Sequence, residues 1–274
     1  MRTVSARKIS ETVARLCIKA NLELRSDVLT ALKNAYRHET RQRPAAILKA
    51  IIENAAAAKD RALAICQDTG MPCVYVEIGQ DARVRGDIDK AVSQGIAKGY
   101  RTAYLRNSIV RDPLRRGSPG FAPGILHIEM TRGSAIRITV LPKGFGCENK
   151  SRLHMFNPTA KAKDIKQFVI DAVQAAGPDA CPPYVVGVGI GGTADYACLL
   201  AKKALLRKID ARRSSSLEKE LLRSVNKLNI GPMGLGGRTT ALAVHVMTYP
   251  THIAGLPVAV NISCHATRSA AAKI

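Results

Sequence analysis

Residues 180–207 read ACPPYVVGVGIGGTADYACLLAKKALLR, and this stretch decides the class of fold. Tyr184–Ile190 is a continuous apolar run, the pattern of a strand buried on both faces. Thr193–Leu206 then changes to helical periodicity, which predicts a helix directly after the strand. The junction Gly187-Val188-Gly189-Ile190-Gly191-Gly192 matches G-x-G-x-x-G. A dinucleotide site would need an acidic residue at the end of the next strand, about 20 residues on. Asp210 has that spacing, but it follows the helical KKALLRK directly and no strand lies between. The glycines therefore read as places where a strand end and a helix start pack close to a neighbour.

Working outward, residues 3–36 place Val4, Ile9, Val13, Leu16, Leu22, Leu24, Val28 and Leu32 at helical spacing, with a break near Asn21. Pro44 suits the first turn of a further helix running to about Leu63. Cys66–Pro72 reads as a turn and VYVEIG (74–79) as a strand. Residues 87–104 read as a helix and 107–123 as an Arg-, Pro- and Gly-rich loop. ILHIEM (125–130) and AIRITVL (135–141) read as a hairpin around Arg132-Gly133-Ser134. Lys143–Ser151 reads as a glycine-containing loop, and Lys163–Ala176 as a helix stopped by Gly177-Pro178. Ser216–Leu228 reads as a helix, with strands TTALAVHVM and LPVAVNI after the turn Gly231–Gly237. The expected class is α+β: a helical N-terminal part followed by a mixed β-sheet with packed helices. The expected organisation is a single domain over 1–274, helical over about 1–65 and mixed α/β over about 66–274.

The 274 residues include 42 Lys+Arg against 21 Asp+Glu, a formal charge of +21, with 46% hydrophobic residues. That apolar content excludes a disordered basic tail. No apolar run approaches a membrane span, and the start MRTVSARKISETVARLC lacks the apolar core of a secretory signal. The expected location is cytoplasmic, with no membrane partner. The charge is spread rather than blocked: residues 1–62 carry 13 basic and 6 acidic residues, 97–116 carry 6 and 1, and 200–227 carry 9 and 3. Aromatic residues are only 4%, too sparse for base-stacking platforms, so nucleic acid is not the expected partner.

Cysteines stand at 17, 66, 73, 147, 181, 198 and 264. No C-x-x-C pair supports a zinc ribbon or a thioredoxin-like site. Cys17 and Cys198 lie on apolar helical faces and read as buried structural thiols; Cys73 reads as a packing residue at a strand start. Cys66, Cys147, Cys181 and Cys264 lie beside Gly, Pro, Asp or His at element ends, where ligating or reactive thiols are found. The one Asp68-Thr69-Gly70 is no aspartic protease, which needs two carboxylates sharing a proton. GPMGLGGRTT (231–240) fails the phosphate-loop spacing. The residues alone leave Arg106 readable as a surface charge and His252 as a satisfied core or interface histidine.

Five segments in order, CQDTGMPCVYVEIG (66–79), KGFGCENKS (143–151), ACPPYVVGVGIGGTADYACLLAKKALLR (180–207), LNIGPMGLGGRTTALAVHV (228–246) and HIAGLPVAVNISCHATRSA (252–270), resemble the class I, iron–sulfur-dependent fumarate hydratases. The resemblance is to the α subunit of the two-chain form, and the related tartrate dehydratase α subunit shares much of the pattern. It covers essentially the whole chain from about residue 10. It implies that Cys66, Cys181 and Cys264 ligate a [4Fe-4S] cluster with one open iron, a Lewis acid for a substrate hydroxyl. It implies that Gln67 and Asp68 face the substrate, with Asp68 a candidate acid. Arg106 then holds a carboxylate of a dicarboxylate substrate, which suits a guanidinium, and Gly144 and Gly146 offer backbone N–H groups. His252, twelve residues before Cys264, matches a family histidine able to reach a site across a subunit boundary.

Single-chain members of that family continue into a second domain that carries the proposed base, whereas this chain stops ten residues past Cys264. The resemblance therefore implies a β subunit, an α2β2 heterotetramer, and activity only with that partner. The implied reaction is reversible hydration of fumarate to malate; the alternative is tartrate dehydration. In the loop where the family commonly has Lys-Gly-Gly-Gly-Ser, this chain has Lys143-Gly144-Phe145-Gly146-Cys147. Cys147 resembles the tartrate enzymes, whereas Glu148-Asn149-Lys150-Ser151 resembles fumarase. Phe145 lacks the freedom of glycine at positive φ. From another class, the +21 charge suggests a non-catalytic Fe–S or nucleic-acid-binding protein on the same scaffold.

Overall fold

A computed structural model describes residues 2–114 and 117–274; Arg115 and Arg116 of the expected Arg-rich loop lie outside the described residues. In chain order the elements are β1 Arg2–Ser5, α1 Ala6–Leu22, α2 Ser26–His38, α3 Gln42–Asp60, β2 Met71–Gly79, β3 Ala82–Arg85, α4 Ile88–Thr102, β4 Ile125–Thr131 and β5 Ile136–Lys143. There follow α5 Phe145–Glu148, β6 Arg152–Phe156, α6 Ala162–Ala176, β7 Tyr184–Gly192, α7 Ala194–Ala204, α8 Ser216–Lys227, β8 Ala241–Thr251, β9 Leu256–Ser263 and β10 Ala270–Lys273. The class is α+β, as expected, but with two four-stranded mixed sheets and a two-stranded β1–β3 pair. Among the described residues, no helix is long and apolar enough to cross a membrane.

The backbone forms two compact units. The first comprises Met1–Arg25, Ala55–Phe145 and Arg268–Ile274; the second comprises Ser26–Asn54 and Gly146–Thr267. Helix α2 and the first part of α3 belong to the second unit.

The sheet of the first unit runs β10-β5-β2-β4. β2 pairs parallel with β4 and antiparallel with β5. The expected hairpin of 125–130 with 135–141 is therefore wrong: β2 lies between its two arms. The reason is burial. β2 is buried at most of its positions, so both of its edges need strand partners. β4 exposes Ile125, Ile128 and Met130, as an edge strand does. Helices α1 and α4 bury Ile9, Val13, Leu16, Cys17, Val92, Ile96 and Tyr100 in one cluster with Ile136, Ile138 and Val140 of β5; each such fully buried aliphatic contributes about 1.5–3 kcal/mol. Ser5 caps α1 through the Lys8 N–H, and Asp87 caps α4 through the Lys90 N–H. Desolvation pushes the Cys17 thiol up to about 12, which fits an inert packing residue.

The sheet of the second unit runs β6-β9-β7-β8, with β7 parallel to β8 and antiparallel to β9. The parallel step from β7 to β8 spans α7 and α8, as parallel neighbours require. The glycines of the G-x-G-x-x-G run serve packing: a Cβ on Gly187 would stand 2.1 Å from the Ala201 carbonyl oxygen of α7, and one on Gly189 2.0 Å from that of Ala197. Close strand–helix contact needs bare backbone there. Ala197, Leu200, Ala201 and Ala204 are the buried stripe of α7. Cys198 lies outside it and is exposed, which corrects its reading as a buried thiol; the helix phase differs by one residue from the apolar run. Gly189→Ala is expected to lower stability by about 1–3 kcal/mol through overpacking, read as a lower urea midpoint at unchanged m-value.

Glu218, at the third position of α8, is 3% exposed. Desolvation raises its carboxyl, but the Val246 and Ser215 N–H donors and the Arg207 guanidinium outweigh that and hold it below the ordinary 4.5. A depressed folded value means that the stabilisation is present above the unfolded pKa and is lost as pH falls through the folded one. Glu218→Gln is expected to destabilise by about 1.5–3 kcal/mol at neutral pH and to lose less of its stability than wild type below pH 4.5, measured by urea denaturation across pH.

Candidate active site

In the first unit, the segment Cys66–Gly70 is pinned from several directions. The Asp68 carboxylate accepts the Gly70 N–H at 2.9 Å through Oδ1 and the Phe145 N–H at 2.8 Å through Oδ2. The Tyr100 hydroxyl stands 2.7 Å from the Thr69 carbonyl oxygen and 3.1 Å from that of Gly70. Thr69 Oγ1 accepts the Arg106 N–H at 3.1 Å and donates to the Arg106 carbonyl at 3.4 Å. The Arg268 guanidinium donates through Nη2 to the Asp68 carbonyl. Gly70 has φ +72, and a Cβ there would lie 2.8–2.9 Å from the Lys143 backbone, so only glycine fits the crossing.

These bonds bring three expected site residues together. Asp68 and Arg106 line one cavity of about 650 Å³ with Asn107, Ser108 and Phe145, closed by Ile109, Val110, Pro113 and Pro119. Gly144 packs against Asp68: a Cβ would meet Oδ2 at 3.1 Å. Gln67 is exposed and Asp68 half-buried. The expected loop 143–151 contains a helical turn, α5, and Lys143 ends β5. Phe145, like Gly144 and Gly146 beside it, does not have positive φ, so it sits in the loop without left-handed strain. Arg106 is a solvent-facing charge, as its residue type allows, but one that lines a cavity beside a carboxylate.

In the second unit, Cys181 and Cys264 come from adjoining loops. The backbone N–H of His265 and its Nδ1 stand 3.2 and 3.1 Å from the Cys181 carbonyl oxygen. A carbonyl only accepts, so Nδ1 carries the proton. Thr267 Oγ1 donates to the Cys264 carbonyl at 2.8 Å. Cys181 has φ +56, a costly conformation for a residue with a Cβ. Cys147 is buried, and its thiol donates to the Ala180 carbonyl at 3.3 Å, so the loop thiol stands at the peptide preceding Cys181. Desolvation, with the Cys147 and Cys181 thiols adding to it, pushes the Tyr184 hydroxyl up; that hydroxyl donates to the Gly177 carbonyl. His252 is exposed in the turn after β8, and its Nδ1 accepts the Ala254 N–H at 3.2 Å. Gly146 begins the second segment of this unit.

Cys66, Cys181 and Cys264 are half-buried thiols, and none of the seven cysteines is in a disulfide. As a donor set, three thiolates match a [4Fe-4S] group that keeps one iron without a protein ligand. Cys66 lies in the first unit and the other two in the second; among the described residues, no three His, Cys, Asp or Glu side chains are grouped so as to hold a metal ion. An orphaned donor also fits such a group: Arg268 is 4% exposed, and its Nη1 is buried with no acceptor.

Sequence reasoning missed Thr69, Tyr100, Asn107, Ser108 and Arg268. Tyr100 looks like one more apolar position of α4, and Arg268 like one more positive charge. Their roles become visible only from what their polar atoms face. Tyr100→Phe is expected to leave two buried carbonyls without their donor and to lower stability by about 1–3 kcal/mol, measured by urea unfolding, with faster amide exchange confined to residues 66–70.

A sequence model of the family described as fumarate hydratase (Fumerase) matches residues 10–273. The chain is 42% identical over 279 residues to the putative L(+)-tartrate dehydratase subunit alpha of Methanocaldococcus jannaschii, covering 97% of this chain and 98% of that one. It is 29% identical over 269 residues to the L(+)-tartrate dehydratase subunit alpha of Escherichia coli strain UTI89, covering 95% and 89%.

Proposed function

The chain belongs to the fumarate hydratase (Fumerase) family, and we propose that it is the α subunit of a two-chain hydro-lyase that interconverts fumarate and malate by reversible addition of water. The observation that carries this reading is the pairing, on one cavity, of a carboxylate fixed by two backbone N–H groups with a guanidinium whose backbone is clipped to the same loop.

When bound by Cys66, Cys181 and Cys264, a [4Fe-4S] group supplies an iron with an open position that polarises the substrate hydroxyl. Arg106 takes one substrate carboxylate in a bidentate contact and orients the carbon skeleton along the cavity. Asp68 holds or delivers the proton at the hydroxyl oxygen; the N–H groups of Gly70 and Phe145 occupy one lone pair on each of its oxygens and fix its direction. Gly144 gives substrate close access to backbone beside Asp68, and Gln67, exposed beside Asp68, faces the substrate. Ile109, Val110 and Pro113 keep water from the reacting carbons.

A β subunit supplies the base that takes the proton from carbon, with His252 facing the subunit boundary, in an α2β2 assembly in a reducing, cytoplasmic setting. Relatives named as alpha subunits support a partner chain. The +21 charge favours an acidic one. A second reading, tartrate dehydration, is favoured by the names of those relatives and by Cys147 in the glycine loop.

Anaerobic co-purification with the β partner, followed by assays of fumarate hydration and tartrate dehydration, tests the proposal. Turnover of fumarate supports the first reading and turnover of tartrate the second; a cluster-loaded complex inactive on both overturns both. Arg106→Ala is expected to lower kcat/KM about 10²-fold through loss of substrate positioning. Cys181→Ser is expected to lower bound iron and sulfide, and a full cluster in that variant would remove Cys181 from the ligand set.

A further inference from the structure

A guanidinium is always charged, and buried charges are ordinarily paired. Arg268 departs from that rule. It is 4% exposed, its Nη2 donates to the neutral carbonyl of Asp68, and its Nη1 is buried with no acceptor. Among the described residues no carboxylate is bonded to it, although the same unit holds Asp68, whose two oxygens each accept one backbone N–H, from Gly70 and Phe145. A native protein retains an uncompensated buried cation where something outside the polypeptide completes it. That something is anionic, and it belongs near the segment the guanidinium already grips, two residues after Cys66.

We propose that Arg268 is a donor to the sulfur of the iron–sulfur group that Cys66 holds, so that one arm of its guanidinium sets the Cys66–Asp68 segment and the other sets the electronic state of the group. The proposal rests on the cluster reading given above. Its sequence position agrees with it: Arg268 follows Cys264 by four residues and bonds to the segment that follows Cys66. A guanidinium suits both tasks, because its donors diverge from one rigid plane, and an ammonium cannot reproduce that fork. Hydrogen bonds and positive charge at cluster sulfur stabilise the reduced form and raise its potential.

The test uses the complex of full-length α chain and β partner, purified anaerobically with its cluster. Wild type is compared with Arg268→Gln, Arg268→Lys and the surface variant Arg7→Gln, whose side chain pairs with Glu11 on the exposed face of α1. The readouts are the midpoint potential from an EPR-monitored redox titration and the rate of iron loss to a chelator. Arg268→Gln is expected to shift the midpoint to more negative potential and to lose iron several-fold faster. Arg268→Lys, which keeps the charge and loses the fork, is expected to fall between; Arg7→Gln is expected to match wild type. If Arg268→Gln fails to fold, the lysine variant carries the comparison alone. An unchanged potential and spectrum in a folded, loaded Arg268 variant overturns the proposal and leaves the cluster reading standing. A wild-type complex that binds no cluster overturns the cluster reading and this proposal together.

Discussion

The carboxylate of Asp68, held between the N–H groups of Gly70 and Phe145, is the interaction on which the first unit's site depends. It joins two segments 77 residues apart in sequence and turns the end of β5 toward the Cys66 loop. The supports around it are hydrogen bonds from side chains to backbone: Tyr100 on the Thr69 and Gly70 carbonyls, Thr69 on the Arg106 backbone, and one arm of Arg268 on the Asp68 carbonyl. Such bonds gain strength where water is excluded, and each becomes costly when its partner is removed. The loop can therefore hold one geometry while its carboxylate faces a cavity of about 650 Å³.

The second unit solves a different problem. Its central strand β7 must lie against α7 closely enough that the carbonyls of Ala197 and Ala201 touch the strand backbone, and glycine at 187 and 189 makes that possible. Close packing at this level fixes where the strand ends, and so fixes the loops that follow the neighbouring strands. Cys264 sits just past the end of β9, and Cys181 just before β7. β7 and β9 are antiparallel neighbours, so the start of one strand and the end of the other fall at the same edge. The Cys181–His265 contact follows from that register, and the left-handed backbone of Cys181 is the local cost.

The net charge of +21 is only partly used inside the chain. Glu218 takes Arg207, Glu148 takes Lys202, Asp179 takes Lys150 and Glu220 takes Lys166, and most of these pairs are at least partly exposed, where an ion pair contributes about 1 kcal/mol or less. Two arginines have specific positions instead: Arg106 on the cavity wall and Arg268 buried behind Asp68. The charge excess is thus not one property but several.

The helices, the buried strand β7, the strands β8 and β9 and the α+β class were legible in the residues because apolar periodicity is local: whether a side chain repeats every two or every 3.6 positions is written along the chain itself. The ordered blocks around Cys66, Cys181 and Cys264 likewise made the family legible in the sequence. Strand order was not legible. β4 and β5 looked like a hairpin, because nothing local says that β2, buried at most of its positions, must take the place between them. The polar supports of the site were not legible either. Tyr100 and Arg268 carry no local sign of what their hydroxyl and guanidinium will face, and Arg268 lies 200 residues from the carbonyl it holds. Hydrogen-bond partnership between distant segments is set by which surfaces the chain buries together, and burial is decided by the tertiary structure as a whole.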